Sequence, residues 1–355
     1  MAGLVAMSGA ALVGPAASQR VADRPPPGAR YHGKAFEFDR IAEGVYLAVG
    51  TGNLSAESNA VIVVNDQDVL IVDGETSPAA GWALLRELKS ITTKPVRYLV
   101  ITHFHYDHAH GTQSFPPGVD VIGTDFTRRM VAEGKSLSHP TAAGNRAFSA
   151  AQVASLTKAL DTATAAASRQ DLAARRSVWQ EYLTSIATIT PVPPNVVVSD
   201  RLTLFKGDRE IVIFHPGPAH TAGDLVVWLP KERVLATGDL LQPGLPYMGD
   251  GFIREWANAL DSLAALKPAT VLPGHGKAFT DMAVLERLRD YLRDVWTQSV
   301  ALKLEGLGVD EAAKRLDLAK YDAYYPRPPG WTDEIVARRR AGTVKRIYDL
   351  IDQKP

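Results

Sequence analysis

The stretch Ile101-Thr102-His103-Phe104-His105-Tyr106-Asp107-His108 places three imidazoles and a carboxylate within six residues. It follows the largely apolar run from Val96 to Ile101, which reads as a buried strand. The polar cluster therefore sits where a strand gives way to a loop, the place from which a rigid scaffold presents its chemistry. Neutral imidazole and carboxylate are the usual ligands of zinc and related divalent ions. In an extended chain residues i and i+2 point the same way, so His103 and His105 can reach one ion together. Asp107 and His108 come next, on a turn, and can address a second ion close by. A single histidine is more often an ordinary surface or core residue than a ligand. Four candidate ligands packed at one strand end, with no other evident partner, argue for a cation.

More ligands are needed, and three positions offer them. His220 lies in His215-Pro216-Gly217-Pro218-Ala219-His220-Thr221-Ala222-Gly223-Asp224. Asp239 comes after the strand-like run Arg233 to Ala236. His275 comes after the run Ala269 to Leu272. An internal echo links these positions: a strand ending in Asp73, a helix, then a strand ending in His103, and again a strand ending in Asp239, a helix, then a strand ending in His275. Two such copies would bring both sets of strand ends to one edge. Asp73 itself reads as a turn cap or as a hydrogen-bond partner of a ligand rather than a ligand.

Taken in order, the blocks HxHxDH, HTxGD, TGD and PGHG resemble the metallo-β-lactamase fold superfamily over roughly residues 40 to 280. The resemblance implies an α/β fold, an αββα sandwich. It implies one zinc held by His103, His105 and His220, and a second held by Asp107, His108 and His275, with Asp239 bridging both. The aspartate at 239 makes the chain look more like the glyoxalase-II-like and lactonase-like hydrolases than like the common β-lactamases. The histidine at 105 sets it apart from the diiron flavoprotein branch. The function implied by the resemblance is that of a dinuclear zinc hydrolase, in which Asp107 and Asp239 orient a hydroxide that attacks an ester, lactone, thioester or β-lactam carbonyl. Iron or manganese are the alternative metals. Three other readings are a mononuclear iron dioxygenase of the persulfide-oxidising type, a phosphodiester hydrolase, and a metal-stabilised binding protein without turnover.

The chain has 355 residues, 46% of them hydrophobic, enough to bury a substantial core. With 39 basic and 39 acidic residues its formal charge is zero, so no electrostatic footprint for nucleic acid is present. It has no cysteine, which excludes disulfides and thiolate ligands. Residues 1–18 resemble the apolar part of a secretory signal without its charged start, which predicts a periplasmic or secreted protein, and otherwise a cytoplasmic one. That run is too short and glycine-rich to span a membrane, and no other stretch qualifies.

Residues 19–34 read as a linker and 35–280 as the catalytic domain. Within it, 134–190 reads as a helical insertion with helices at 150–160 and 171–186. Residues 281–355 read as a C-terminal helical extension packed on the same domain, to which no chemistry is assigned. Arg338, Arg339 and Arg340 read as a solvated face or a homodimer surface. Tyr247, in the Gly/Pro-rich loop after Asp239, and Asn258 and His139 are candidates for the pocket of a small-molecule substrate. His110 reads as solvent-facing or as lying behind a ligand.

Overall fold

The computed structural model describes residues 24–328 and 330–353, so the candidate export segment 1–18 lies outside the described residues. Two sheets face each other. The first contains β1 (Phe36–Ala42), β2 (Val45–Gly50), β3 (Ala60–Val64), β4 (Val69–Val72), β5 (Val96–Val100), β6 (Asp120–Gly123) and β7 (Val196–Val197), paired in sequence order. The second contains β8 (Arg201–Lys206), β9 (Arg209–Phe214), β10 (Val226–Leu229), β11 (Val234–Gly238) and β12 (Thr270–Pro273), in the order β12-β11-β10-β9-β8. The helices are α1 (Pro78–Glu87), α2 (Tyr106–Ala109), α3 (Asp125–Ala132), α4 (Lys135–Ser138), α5 (Pro140–Thr162), α6 (Ala166–Ile186), α7 (Ile253–Ala265), α8 (Ala283–Leu304), α9 (Val309–Arg315) and α10 (Asp333–Asp352).

The period of two along each strand explains the layering. Val61 and Val63 of β3 meet Val100, Ile213 and Val227 between the sheets. Ile62 of the same strand turns the other way and packs with Ile71, Leu84 and Leu88 under α1. Outside the second sheet, Val212, Trp228 and Leu235 pack against Trp256 and Leu260 of α7, Leu288 and Leu292 of α8, and Val344 and Ile347 of α10. The architecture is the expected αββα sandwich. Each such side chain taken fully out of water contributes about 1.5–3 kcal/mol.

The two echoing units are realised as parallel pairs: β4 beside β5, and β11 beside β12. A helix crosses between each pair, α1 in the first unit and α7 in the second. Ser77 caps α1 by accepting from Ala80 N, with Pro78 in its first turn. Strand β1 has no counterpart in the sequence reading. It is an edge strand paired only to β2, and its one buried residue within the sheet is Phe36. The insertion helices begin earlier than expected, at Pro140 and Ala166. Pro140 starts α5 under a His139 cap, and Gly144 inside the helix obscures the propensity signal. No described helix is long and apolar enough to cross a membrane.

Candidate metal centre

All seven ligand candidates arrive at one edge of the sandwich. Strand β5 stops at Val100, the chain bends at Phe104 and His105, and α2 then carries Asp107 and His108. The loop after β9 delivers His220, the end of β11 delivers Asp239, and the end of β12 delivers His275. Close approach of backbones makes this possible. A Cβ on Gly111 would lie 2.1 Å from the Gly74 carbonyl oxygen, and one on Gly274 would lie 2.4 Å from Asp239 Oδ1. A larger residue at Gly274 would displace Asp239, and one at Gly111 would displace the backbone that follows Asp73.

Two groups form. His103 Nε2 and His220 Nε2 lie 3.0 and 3.1 Å from His105 Nδ1. In the second group His275 Nε2 lies 3.1 Å from Asp107 Oδ2 and 3.3 Å from Asp239 Oδ1. His108 Nε2 lies 3.4 Å from each of those oxygens. The other oxygen of Asp239, Oδ2, faces the first group at 3.7 Å from His220 Nε2. A tetrahedral ion with bonds of about 2.0–2.1 Å spaces its ligand atoms about 3.3 Å apart. The donors fit such an ion in both groups. Two of them, His108 Nε2 and Asp239 Oδ1, are buried without any hydrogen-bond partner although they converge. Leaving both unpaired is costly unless a cation completes them.

The electrostatics agree. Burial, followed by the neighbouring His108, His105 and His220, holds His103 well below the ordinary imidazole value. Burial pushes His220 down to about 3. Both are thus the neutral imidazoles that ligation requires. In the second group burial opposes charge on His108 and His275, but carboxylates, Asp107 and Asp239 among them, outweigh it and hold both rings well above the usual value. Burial would likewise raise Asp107 and Asp239, yet His108 and His275 hold both well below the carboxylate range. The group thus favours positive charge at its centre. A metal binding to imidazole and carboxylate supplies that charge and releases protons.

Hydrogen bonds behind the cluster orient each ring and select its tautomer. Asp73 is fully occupied: Oδ1 accepts from Thr102 N and Oγ1, and Oδ2 accepts from His108 Nδ1 at 2.8 Å. It does so with a left-handed backbone, φ 68°. Thr102 Oγ1 lies 3.0 Å from His103 Nδ1, and the Glu57 carbonyl accepts from His275 Nδ1 at 2.9 Å. His105 donates from Nε2 to Asp250 Oδ2 at 2.9 Å, which frees Nδ1 for the centre.

Sequence reasoning misses Asp250 and Glu57. Asp250 is an isolated acid in a Gly/Pro-rich loop, and Glu57 stands 218 residues from His275, so no local pattern marks either. The Glu57 carboxylate, raised by burial, accepts from Tyr106 Oη at 2.7 Å and from Asn145 Nδ2. Tyr182 Oη in turn donates to Asn145 Oδ1. The insertion helices α5 and α6 are therefore bonded to the residues beside Asp107.

The three pocket candidates separate. His139 Nε2 lies 3.3 Å from Asp250 Oδ1, and its ring is 5.4 Å from that of His105. The Tyr247 ring is 6.0 Å from the His105 ring. Asn258 is not brought to the centre. It lies on the exposed face of α7, about 200° around the helix from Trp256, whose ring packs 5.4 Å from His220. His110 is buried rather than solvent-facing, and burial lowers it to about 4. A cleft of about 1520 Å³ runs between Ala29–Phe38, the Asn53–Glu57 loop and α6, and none of the seven ligand candidates lines it. The side chain of His275 is 32% exposed, whereas those of Asp107 and Asp239 are 10% exposed. Solvent thus reaches the centre from the His275 side.

Residues 56–121 and 149–275 match the family profile of the metallo-beta-lactamase superfamily. Among characterised proteins, the chain is 25% identical over 298 residues to a linear primary-alkylsulfatase of a Pseudomonas species. That match takes in 81% of this chain, which spans about half (53%) of the relative's length. It is 23% identical over 263 residues to a metallo-beta-lactamase type 2 of a Bacillus species, covering 72% of this chain and 81% of that one. A solved metallo-beta-lactamase from Pontibacter korlensis superposes with a TM-score of 0.52 at 20% identity, over 73% of this chain and 99% of the other.

Proposed function

The chain belongs to the metallo-beta-lactamase superfamily, and from that footing we propose that it is a hydrolase working with two divalent ions, zinc by preference. The observation that carries this reading is the position of Asp239, with one oxygen toward His108 and His275 and the other toward His220. A single ion at the three-histidine group, as in the iron dioxygenase reading, would leave Asp107, His108 and His275 without a role. Ions bound at the two groups would supply Lewis acidity and acidify water near neutral pH.

The rest is the work of this chain's own residues. Asp107 and Asp239, each 10% exposed, present carboxylate oxygens toward the centre and can hold or accept a proton there. Asp73, Asp250 and the Glu57 carbonyl keep the rings from turning. His139 and Tyr247 border the approach. The bond cleaved is read as an ester, lactone, thioester or β-lactam amide, and the alkylsulfatase relative adds sulfate esters to that set. The test is turnover of a panel of these substrates and a phosphodiester by protein purified without added metal. The expected result is hydrolysis of at least one class, abolished by a chelator and restored by zinc. Absence of chelator-sensitive turnover across the panel would refute the reading.

A further inference from the structure

Helix α10 contributes more than packing. Its arginines differ from those of α8, where Arg287, Arg289 and Arg293 each find a carboxylate. Among the described residues, Arg338, Arg339, Arg340 and Arg346 of α10 make no ion pair, and Arg346 donates instead to the Gly251 carbonyl at 2.9 Å. That bond ties α10 to the loop carrying Tyr247 and Asp250. Nearer the start of the same helix, the guanidinium carbon of Arg339 sits 5.6 Å from the Tyr247 ring centre and 4.7 Å from that of Trp331. It also lies within electrostatic range of the Tyr106 phenol. Tyr247 stands against His105, and Tyr106 lies between His105 and Asp107 in sequence. Arg339 is thus exposed, held by the Tyr247 and Trp331 rings, and one aromatic ring removed from His105. Contact with ring faces leaves the N–H edge of a guanidinium free for two parallel hydrogen bonds. The acids nearby are already engaged: Asp250 with His105 and His139, and Glu57 with Tyr106 and Asn145.

We propose that Arg339 recognises a negatively charged oxyacid group of the substrate, a carboxylate or a sulfate, at the mouth of the metal centre. This rests on the hydrolase reading and narrows its substrate class to anionic esters. Arg339 is a specificity residue here and takes no part in bond cleavage.

The experiment compares wild type, Arg339→Gln and Arg339→Lys on 4-nitrophenyl butyrate and on its ω-carboxylated counterpart. Calorimetric binding of octanoate and of octyl sulfate, below its micelle-forming concentration, is measured alongside. Loss of a charge-assisted contact predicts a KM for the carboxylated ester about 10- to 100-fold higher in Arg339→Gln. The same variant should keep kcat, the KM for the neutral ester and the metal content, and lysine should recover part of the loss. The affinity for the anions should fall by the same factor, and the stronger of the two ligands identifies the oxyacid. Equal losses on both esters together with a lower Tm would make Arg339 a brace for the Tyr247 loop and overturn the proposal, as would no change at all. Anion binding that depends on Arg339 in a protein hydrolysing neither ester would support the anion site while removing the hydrolase reading. Absence of both hydrolysis and anion binding would overturn the two together.

Discussion

If the proposed two-ion hydrolase is right, Asp239→Ala is expected to lower the bound metal from two ions per chain toward one and to reduce hydrolysis by a factor on the order of 10³ or more. The size reflects what is removed, since one Lewis-acidic ion contributes several kcal/mol of charge stabilisation, and each 1.36 kcal/mol is tenfold in rate. Asp239 supplies an oxygen to each group, so its loss is felt on both sides. The two groups do not fail equally. His103 and His105 keep the contacts with Thr102 and Asp250 that orient them, so the three-histidine group retains its ion. The second group loses one of its two carboxylates, and only Asp107 is left there to offset the charge of an ion beside His108 and His275. Elemental mass spectrometry on the purified variant, with kcat measured on the best substrate of the panel, checks both parts. Asn258→Ala, on the exposed face of α7, serves as the control and leaves both quantities unchanged.

Asp73→Asn produces the largest expected loss of stability. The carboxylate is 2% exposed and accepts from the Thr102 amide and hydroxyl and from His108 Nδ1. Asparagine keeps the shape and tolerates the left-handed φ of this position, so the backbone is not the cause of any change. Its amide nitrogen cannot accept, however, so at least one buried donor is stranded. An unsatisfied buried group costs about 1–3 kcal/mol, and more when the lost partner was charged. The metal-free variant should therefore unfold at a clearly lower denaturant midpoint with an unchanged m-value, a loss of about 2–3 kcal/mol. Its zinc affinity, measured against a competing chelator, should fall by about 10- to 100-fold, the usual effect of removing a group that orients a metal-bound imidazole. Wild-type stability combined with wild-type affinity would show that the Asp73 network positions nothing.

The sandwich and the seven-residue cluster were legible for one reason. Each strand that carries the site is a short, largely apolar run, as in Val69–Val72, Val96–Val100 and Thr270–Pro273, and each of these is followed within three residues by a ligand-type or acidic residue. The ligands therefore announce their own placement. Residues that act through a fold-dependent contact gave no such signal. Asp250 reaches His105 across 145 residues, and Asn145 reaches Glu57 across 88. In sequence Arg339 is one of three neighbouring arginines with the look of a solvated face, and only the fold lays α10 over the Tyr247 loop. The wrong choice at Asn258 has a simple cause: its helix is where the sequence places it, but the face that turns toward His220 is set by Trp256 packing into the core.

The shared-carboxylate centre is tested most directly by anomalous diffraction at the zinc edge from crystals of the protein grown with zinc. Two peaks per chain are expected, one among His103, His105 and His220 and one among Asp107, His108 and His275, with Asp239 between them. A single peak at the three-histidine group, with Asp239 turned away from His108 and His275, would contradict that centre and with it the proposed hydrolase.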